Sequence, residues 1–328
     1  MFQAIYLTQD ENHATHARLK QLEEVQLPDR EVWIDVEWST LNYKDALATT
    51  GKGKIVREFP MVPGIDLAGT VRESRSPDYS PGDRVLLNGW SVGEKYWGGL
   101  AQQARVDARW LTPLPQGMST HTAMALGTAG YTAMLCVQAL ERHGVMPESG
   151  PIVVTGANGG VGTIAIMLLK QAGYRVIATT GRMEQRNALM ALGASEVIDR
   201  NELNQPAPPL GKARWAGAID SLGSYTLANV CAHMQENGAI ASCGLAQGMD
   251  FPASVAPFIL RGVTLCGINS VTRPASERDN AWQRLAHDID LEQLARLART
   301  ITLHEAISAA EELLAGKVRG RLVVDVNR

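Results

Sequence analysis

Ile152-Val153-Val154-Thr155-Gly156-Ala157-Asn158-Gly159-Gly160-Val161-Gly162 is the stretch whose reading decides the fold. Ile152–Thr155 reads as a short apolar strand, the glycines as a turn, and the residues through Ala172 as a helix. The spacing Ala157-x-Gly159-x-x-Gly162 is G-x-G-x-x-G with alanine in the first place. Such a glycine cluster signals a dinucleotide only between a strand and a helix, and both flanks are present. Gly159 would let the backbone approach a pyrophosphate, and Gly162 would let the helix lie close on the strand. The free N–H groups at the helix start, from Gly160 and Val161 onward, would hold the phosphates. A plain turn is the competing reading.

Downstream, strand and helix patterns alternate. Strands are expected at Arg175–Thr179, Glu196–Asp199, Ala216–Asp220, Gly238–Cys243 and Gly262–Ile268, with helices between most of them. With Ile152–Thr155 they make a doubly wound parallel sheet, an α/β Rossmann fold. The residues after the second strand select the nucleotide. NAD sites place an acid there for the ribose hydroxyls. Here the chain reads Thr179-Thr180-Gly181-Arg182, and no acid occurs before Glu184. Thr180, Gly181 and Arg182 suit a ribose phosphate, which favours NADP(H). Arg186 and Arg200 are weaker second cations.

The first 120 residues have a different texture. Val32, Ile34, Val36 and Trp38 alternate with polar residues, the period of a half-buried strand. Further strands are expected at Ala4–Leu7, Ala101–Val106 and Trp110–Pro113; the 59–71 stretch leads into another, and one follows a turn within 81–87, giving a β-rich lobe. A helix begins near Asn42-Tyr43-Lys44-Asp45, capped by Asn42 or Asp45. Tyr43 and Lys44 are the candidate catalytic residues, because each can donate to negative charge developing on a carbonyl oxygen. Lys52, Lys54 and Arg57 form a basic glycine-containing loop, either solvated or a site for an anionic substrate tail. An apolar helical stretch from Thr120 to Arg142, interrupted at Gly127–Gly130, leads into the second lobe. Gly320–Val326 is a last strand returning to the first.

Composition narrows the class. Thirty-one Lys plus Arg against 34 Asp plus Glu leaves a net charge of −3, which offers nucleic acid or an anionic membrane no electrostatic attraction. No uninterrupted apolar run is read as a membrane span, and no signal peptide is read at the N-terminus. Cys136, Cys231, Cys243 and Cys266 form no CxxC pair, which suits reduced thiols and a cytoplasmic enzyme. His13 and His16 are assigned to a polar surface turn. No Cys/His set of tetrahedral spacing can be assembled locally, so no metal is expected.

In this order of parts the chain resembles the medium-chain dehydrogenase/reductase superfamily, and within it the YhdH/AcuI group. The resemblance rests on Leu41-Asn42-Tyr43-Lys44-Asp45-Ala46-Leu47 with Gly51-Lys52-Gly53-Lys54-Ile55, on Pro63-Gly64-Ile65-Asp66-Leu67-Ala68-Gly69, and on Trp97-Gly98-Gly99-Leu100-Ala101. Trp215–Asp220 and Pro257–Arg261 extend it over essentially the whole chain. It implies a GroES-like catalytic domain from 1–123 and 268–328 around a Rossmann NADP-binding domain of 124–267. Zinc-dependent members carry Gly-His-Glu where this chain has Gly64-Ile65-Asp66, so the resemblance implies a zinc-free enzyme. It implies an NADPH-dependent reductase of an activated C=C bond, acryloyl-CoA to propionyl-CoA, with quinone or enone reduction as the alternative. Lys52, Lys54 and Arg57 would then hold the CoA phosphates. Cofactor contacts implied are Tyr43, Gly159–Gly162, Thr180–Arg182, Arg200, Leu245, Asn269, Ser270 and Arg321. A homodimer is expected through the exposed edge of the Gly262–Ile268 strand.

Overall fold

In the computed structural model, which describes residues 1–328, the six apolar segments of the second lobe form one sheet. Its spatial order is Glu196–Asp199, Val176–Thr180, Ile152–Val154, Trp215–Asp220, Met234–Ser242 and Thr264–Gly267. Every pairing is parallel. Numbered along the chain the order is 3-2-1-4-5-6, so the strand order reverses beside the first strand, where such sheets bind ligands. Ile152, Val153 and Val154 are all fully buried, as a strand covered on both faces requires. Around them Ile177, Trp215, Ala218, Val230 and Ile240 build the core of this unit, which comprises Ala129–Asn269 and His287–Asp290. The helices Gly160–Gln171, Arg186–Leu192, Ser224–Ala232 and Ala256–Arg261 connect the strands. The last strand, Thr264–Gly267, pairs on one side only, with Met234–Ser242.

The other unit comprises Met1–Thr128, Ser270–Ala286 and Leu291–Arg328. Its larger sheet runs Ala298–Thr302, Arg321–Asp325, Val32–Leu41, Asp66–Ser74, Arg84–Asn88 and Leu111–Pro113, with Gln103–Val106 also on Val32–Leu41. The C-terminal strand does return: Leu322 pairs with Leu41 and Val324 with Ser39, antiparallel. Phe2–Gln9 forms a hairpin with Thr15–Leu22, a strand that the sequence patterning hides. Only Ala17 and Leu19 of its first five residues are apolar, and both pack on the core. His13 sits in the turn at φ 61, but His16 lies in that second strand, opposite Thr8, with Nε2 2.8 Å from Asp10.

One helix spans Thr120–Arg142, bent at Gly127, whose φ of 53 and ψ of −158 no other residue type adopts easily. By length and composition alone this helix could cross a membrane, but 94% of its apolar window is buried in the protein, as in a core helix.

Candidate active site and nucleotide-binding edge

The first parallel strand ends in a turn made by Gly156, at φ 58, one place before the fingerprint's nominal first position. Ala157 is thereby free to be buried. Gly159 caps the following helix with extended backbone, φ −81 and ψ 171. The two later glycines differ in purpose. A Cβ on Gly162 would lie 2.5 Å from the Gly156 carbonyl oxygen and 2.7 Å from Ala157 Cα, so helix and turn can meet only there without a side chain. A Cβ on Gly159 would meet one atom, at 3.2 Å, leaving this backbone open to an approaching group. The helical ladder begins with Thr163 N–H donating to Gly159 at 3.0 Å, and the N–H groups of Gly160, Val161 and Gly162 have no internal acceptor.

The turn is tied to the fourth strand by Asp220. One of its carboxylate oxygens accepts from Thr155 Oγ1 at 2.7 Å and the other from Gly223 N–H at 2.9 Å. Burial pushes the Asp220 carboxyl above the usual range, against the pull of these hydrogen bonds. No sequence motif marks this tie.

At the end of the second strand, the Thr180 hydroxyl accepts from Asn158 Nδ2 and from the Arg182 N–H at 2.9 Å. Register places Asp199 beside Thr180, so Arg200 leaves the third strand next to Gly181. The guanidinium lies against that glycine: a Cβ there would be 2.7 Å from Arg200 Cζ. Thr180, Gly181, Arg182 and Arg200 therefore meet at one point, although Arg200 is a weak candidate from sequence. Arg186 is exposed in the next helix, and Glu184 lies in the turn before it. Leu245, 59% exposed, and Asn269 follow the fifth and sixth strands on the same carboxyl edge. Ser270 belongs to the other unit, where its carbonyl accepts from Arg278 Nη2 at 3.2 Å.

That other unit holds a buried polar cluster around Asp66. Its carboxylate accepts from Asn42 Nδ2 at 2.7 Å, Asn88 Nδ2 at 2.7 Å, the Thr128 N–H at 2.9 Å and the Thr128 hydroxyl at 2.5 Å. Asp45 accepts from the Asn42 N–H at 2.8 Å and the Ile65 N–H at 2.9 Å. Of the two expected helix caps, then, Asp45 reaches back to the helix start, while Asn42 turns its amide into the cluster. Desolvation, with the nearby Asp66 charge, raises the Asp45 carboxyl to about 7.

Arg321, which the resemblance implies as a cofactor contact, is 4% exposed and bonded within this unit, donating to the carbonyl of Ala125 at 3.0 Å, Thr40 Oγ1 at 3.2 Å and Asn42 Oδ1 at 3.2 Å. Burial pulls its pKa down, while Asp66 and Asp45 oppose that pull. It is the interior counter-charge of the two aspartates.

Tyr43 opens the helix Tyr43–Thr50 on the residue after this cluster and is 54% exposed, its hydroxyl unbonded. Lys44 donates from Nζ to Glu94 at 2.8 Å. Gly51 ends the helix at φ 68, and Lys52, Lys54 and Arg57 follow in the exposed loop, none ion-paired. At the position where zinc-dependent relatives carry ligands, Ile65 is buried and Asp66 is saturated by donors. Nowhere do three His, Cys, Asp or Glu side chains converge as a ligand set.

Comparison with known proteins agrees with both units. Residues 28–116 match the alcohol dehydrogenase GroES-like domain and residues 160–287 the zinc-binding dehydrogenase family. Acrylyl-CoA reductase AcuI of Ruegeria pomeroyi is 48% identical, over 100% of both chains. A Bacillus subtilis protein named "Putative quinone oxidoreductase YhfP" is 41% identical, over 99% of this chain and 98% of its own. The crystal structure of Escherichia coli K-12 YhdH with bound NADPH superposes with a TM-score of 0.97 at 51% identity, covering 99% of this chain and 100% of that one. The chain belongs to the medium-chain dehydrogenase/reductase superfamily, in the group that contains AcuI and YhdH.

Proposed function

We propose that the protein is an NADPH-dependent reductase of an α,β-unsaturated acyl-CoA, converting acryloyl-CoA to propionyl-CoA without a metal. One observation carries the reading: Thr180, Gly181, Arg182 and Arg200 meet at the end of the second parallel strand, in a chain 48% identical throughout to an acrylyl-CoA reductase. These residues fit NADPH. The N–H groups at Gly160–Gly162 suit its pyrophosphate, and the two arginines and Thr180 suit its ribose phosphate. Leu245 and Asn269 lie on the same edge and complete the nucleotide contacts. When bound, the nucleotide supplies the hydride for the β-carbon of the thioester. The chain must then hold the acceptor and stabilise the charge that spreads to the carbonyl oxygen.

Tyr43 is the donor to that oxygen, since its hydroxyl is exposed and has no competing partner. Lys44 is the second candidate, but its ammonium is held by Glu94. Solvent competes with both as the source of the α-carbon proton. Lys52, Lys54 and Arg57 neutralise the CoA phosphates. A quinone reductase is the second reading, favoured by the likeness to YhfP. All four cysteines are unpaired, which supports a reducing, cytoplasmic compartment. The one-sided Thr264–Gly267 strand supports a homodimer joined along that edge, an assembly that light scattering reads directly.

Steady-state NADPH oxidation separates the two acceptors. Acryloyl-CoA should be reduced with the higher kcat/KM, and Lys52→Ala/Lys54→Ala should lower it by about tenfold or more, the worth of a lost charge-assisted contact. Fast benzoquinone turnover that ignores the double substitution, with little acryloyl-CoA turnover, would establish the quinone reading instead.

A further inference from the structure

The N-terminal hairpin carries a feature that neither the nucleotide nor the acceptor chemistry has used. Register puts Tyr6 opposite Arg18 and Ala4 opposite Lys20, so both cations stand on one face of the pair. With Thr8, Phe59 and Pro60 they line a groove of about 390 Å³. The groove contains two cations and no acid. Arg18 makes no ion pair, and Lys20 Nζ rests 4.2 Å over the Tyr6 ring, a contact that leaves its charge unneutralised. The nearby acid Asp10 is engaged by His16 at 2.8 Å. Phe59, half-buried, and Pro60, exposed, give the floor apolar surface. Unneutralised cations above an apolar floor suit a ligand with a flat ring and a phosphate.

The groove is continuous with the basic loop. Arg57, Glu58, Phe59 and Pro60 are consecutive, so the loop that holds Lys52 and Lys54 runs directly into the groove's rim. At its other end Gly51 is seated on Thr15, the first residue of the strand that bears Arg18 and Lys20: a Cβ there would lie 2.9 Å from Thr15 Cβ. One molecule bearing a pyrophosphate and, farther along, a phosphorylated nucleoside would match both features.

We propose that this groove binds the 3′-phosphoadenosine end of the acyl-CoA, with Arg18 and Lys20 on the 3′-phosphate and the purine over Phe59 and Pro60. The inference rests on the acyl-CoA reading above and adds a subsite to it. The basic loop then takes the pyrophosphate, and the groove discriminates CoA from shorter thioesters.

The test uses the full-length protein with saturating NADPH and two substrates, acryloyl-CoA and acryloyl-pantetheine, which lacks the nucleotide. Arg18→Ala/Lys20→Ala should raise KM for acryloyl-CoA by about tenfold or more, with kcat held. KM for acryloyl-pantetheine should not move, which also shows the variant to be folded. Unchanged KM for both substrates overturns the groove and leaves the reductase reading standing. An equal rise in both overturns it too, because the effect is then not on the nucleotide. If the wild type reduces neither thioester, the acyl-CoA reading itself fails and takes the groove's occupant with it.

Discussion

The nucleotide edge and the Asp66 cluster solve the same problem, placing polar groups for chemistry, in opposite ways. The edge is mostly backbone: Gly156, Gly159 and Gly162 supply conformation and room, and the N–H groups at the helix start are left without acceptors. The cluster is mostly side chain: Asn42, Asp45, Asp66, Asn88, Thr128 and Arg321 hold one another in the interior. A backbone site must be contiguous in sequence, because the turn and the helix start are consecutive residues. A side-chain site can draw its members from anywhere the fold brings together. The two should therefore fail differently when altered: the cluster through stability, the edge through binding.

The largest expected effect falls on the cluster. Asp66→Ala removes the acceptor of three side chains and one backbone N–H, and leaves Arg321 buried with less counter-charge. Stranding a buried charge costs about 3–5 kcal/mol. Urea denaturation should show a loss of that size, with the midpoint shifted and the slope preserved. A loss under about 1 kcal/mol would mean that water replaces the carboxylate, and the contrast between the two sites would collapse.

On the other side of the comparison, Gly162→Ala should act with a smaller cost in stability, about 1–3 kcal/mol for overpacking. Its added carbon must push the helix start from Gly156 and Ala157, and so misplace the N–H groups of Gly160 and Val161. NADPH affinity, read by fluorescence titration, should fall by about tenfold or more if two phosphate hydrogen bonds are lost. Gly159→Ala meets only one atom, at 3.2 Å, and should keep the stability while still weakening the nucleotide. Unchanged affinity in both variants would show that the phosphates lie elsewhere.

This difference also decides what could be read in advance. The strand, turn and helix around Gly156–Gly162 follow from adjacent residues, as do the parallel strands with their continuous apolar runs. The Val32–Leu41 strand is equally plain, since it alternates. Thr15–Leu22 is hidden because His16, Arg18 and Lys20 fill one face before Leu22, and the other face shows only Ala17 and Leu19 as apolar residues. Within the cluster, Asn42 and Asp45 are visible in sequence only as helix caps, and Asp66 only as the residue in place of a zinc ligand. Nothing local in the sequence joins Asn42 to Asp66 or to Arg321; strand register does that. The burial of Arg321 is hidden for the same reason, because its partners Thr40 and Asn42 come beside it only through strand pairing.

The subtlest way to sharpen the contrast is by pH, because the cluster has a group that titrates near neutrality. Burial, with the charge of Asp66, raises the Asp45 carboxyl to about 7 in the fold, against about 3.9 for an unfolded aspartate. Between those values the folded state binds more protons than the unfolded one, so stability must fall as pH rises from about 4 to about 7. The slope is bounded at about 1.4 kcal/mol per pH unit for one group. The carboxyl stays raised although the hydrogen bonds from Asn42 and Ile65 favour its ionised form. Asp45→Asn should be less stable at every pH, since an amide cannot accept at both oxygens, yet its stability should be flatter across this window. A wild-type stability that climbs through the same range, or a slope that survives the substitution, would mean that Asp45 is ionised throughout and that the interior charge of Arg321 outweighs the cost of burying two carboxylates.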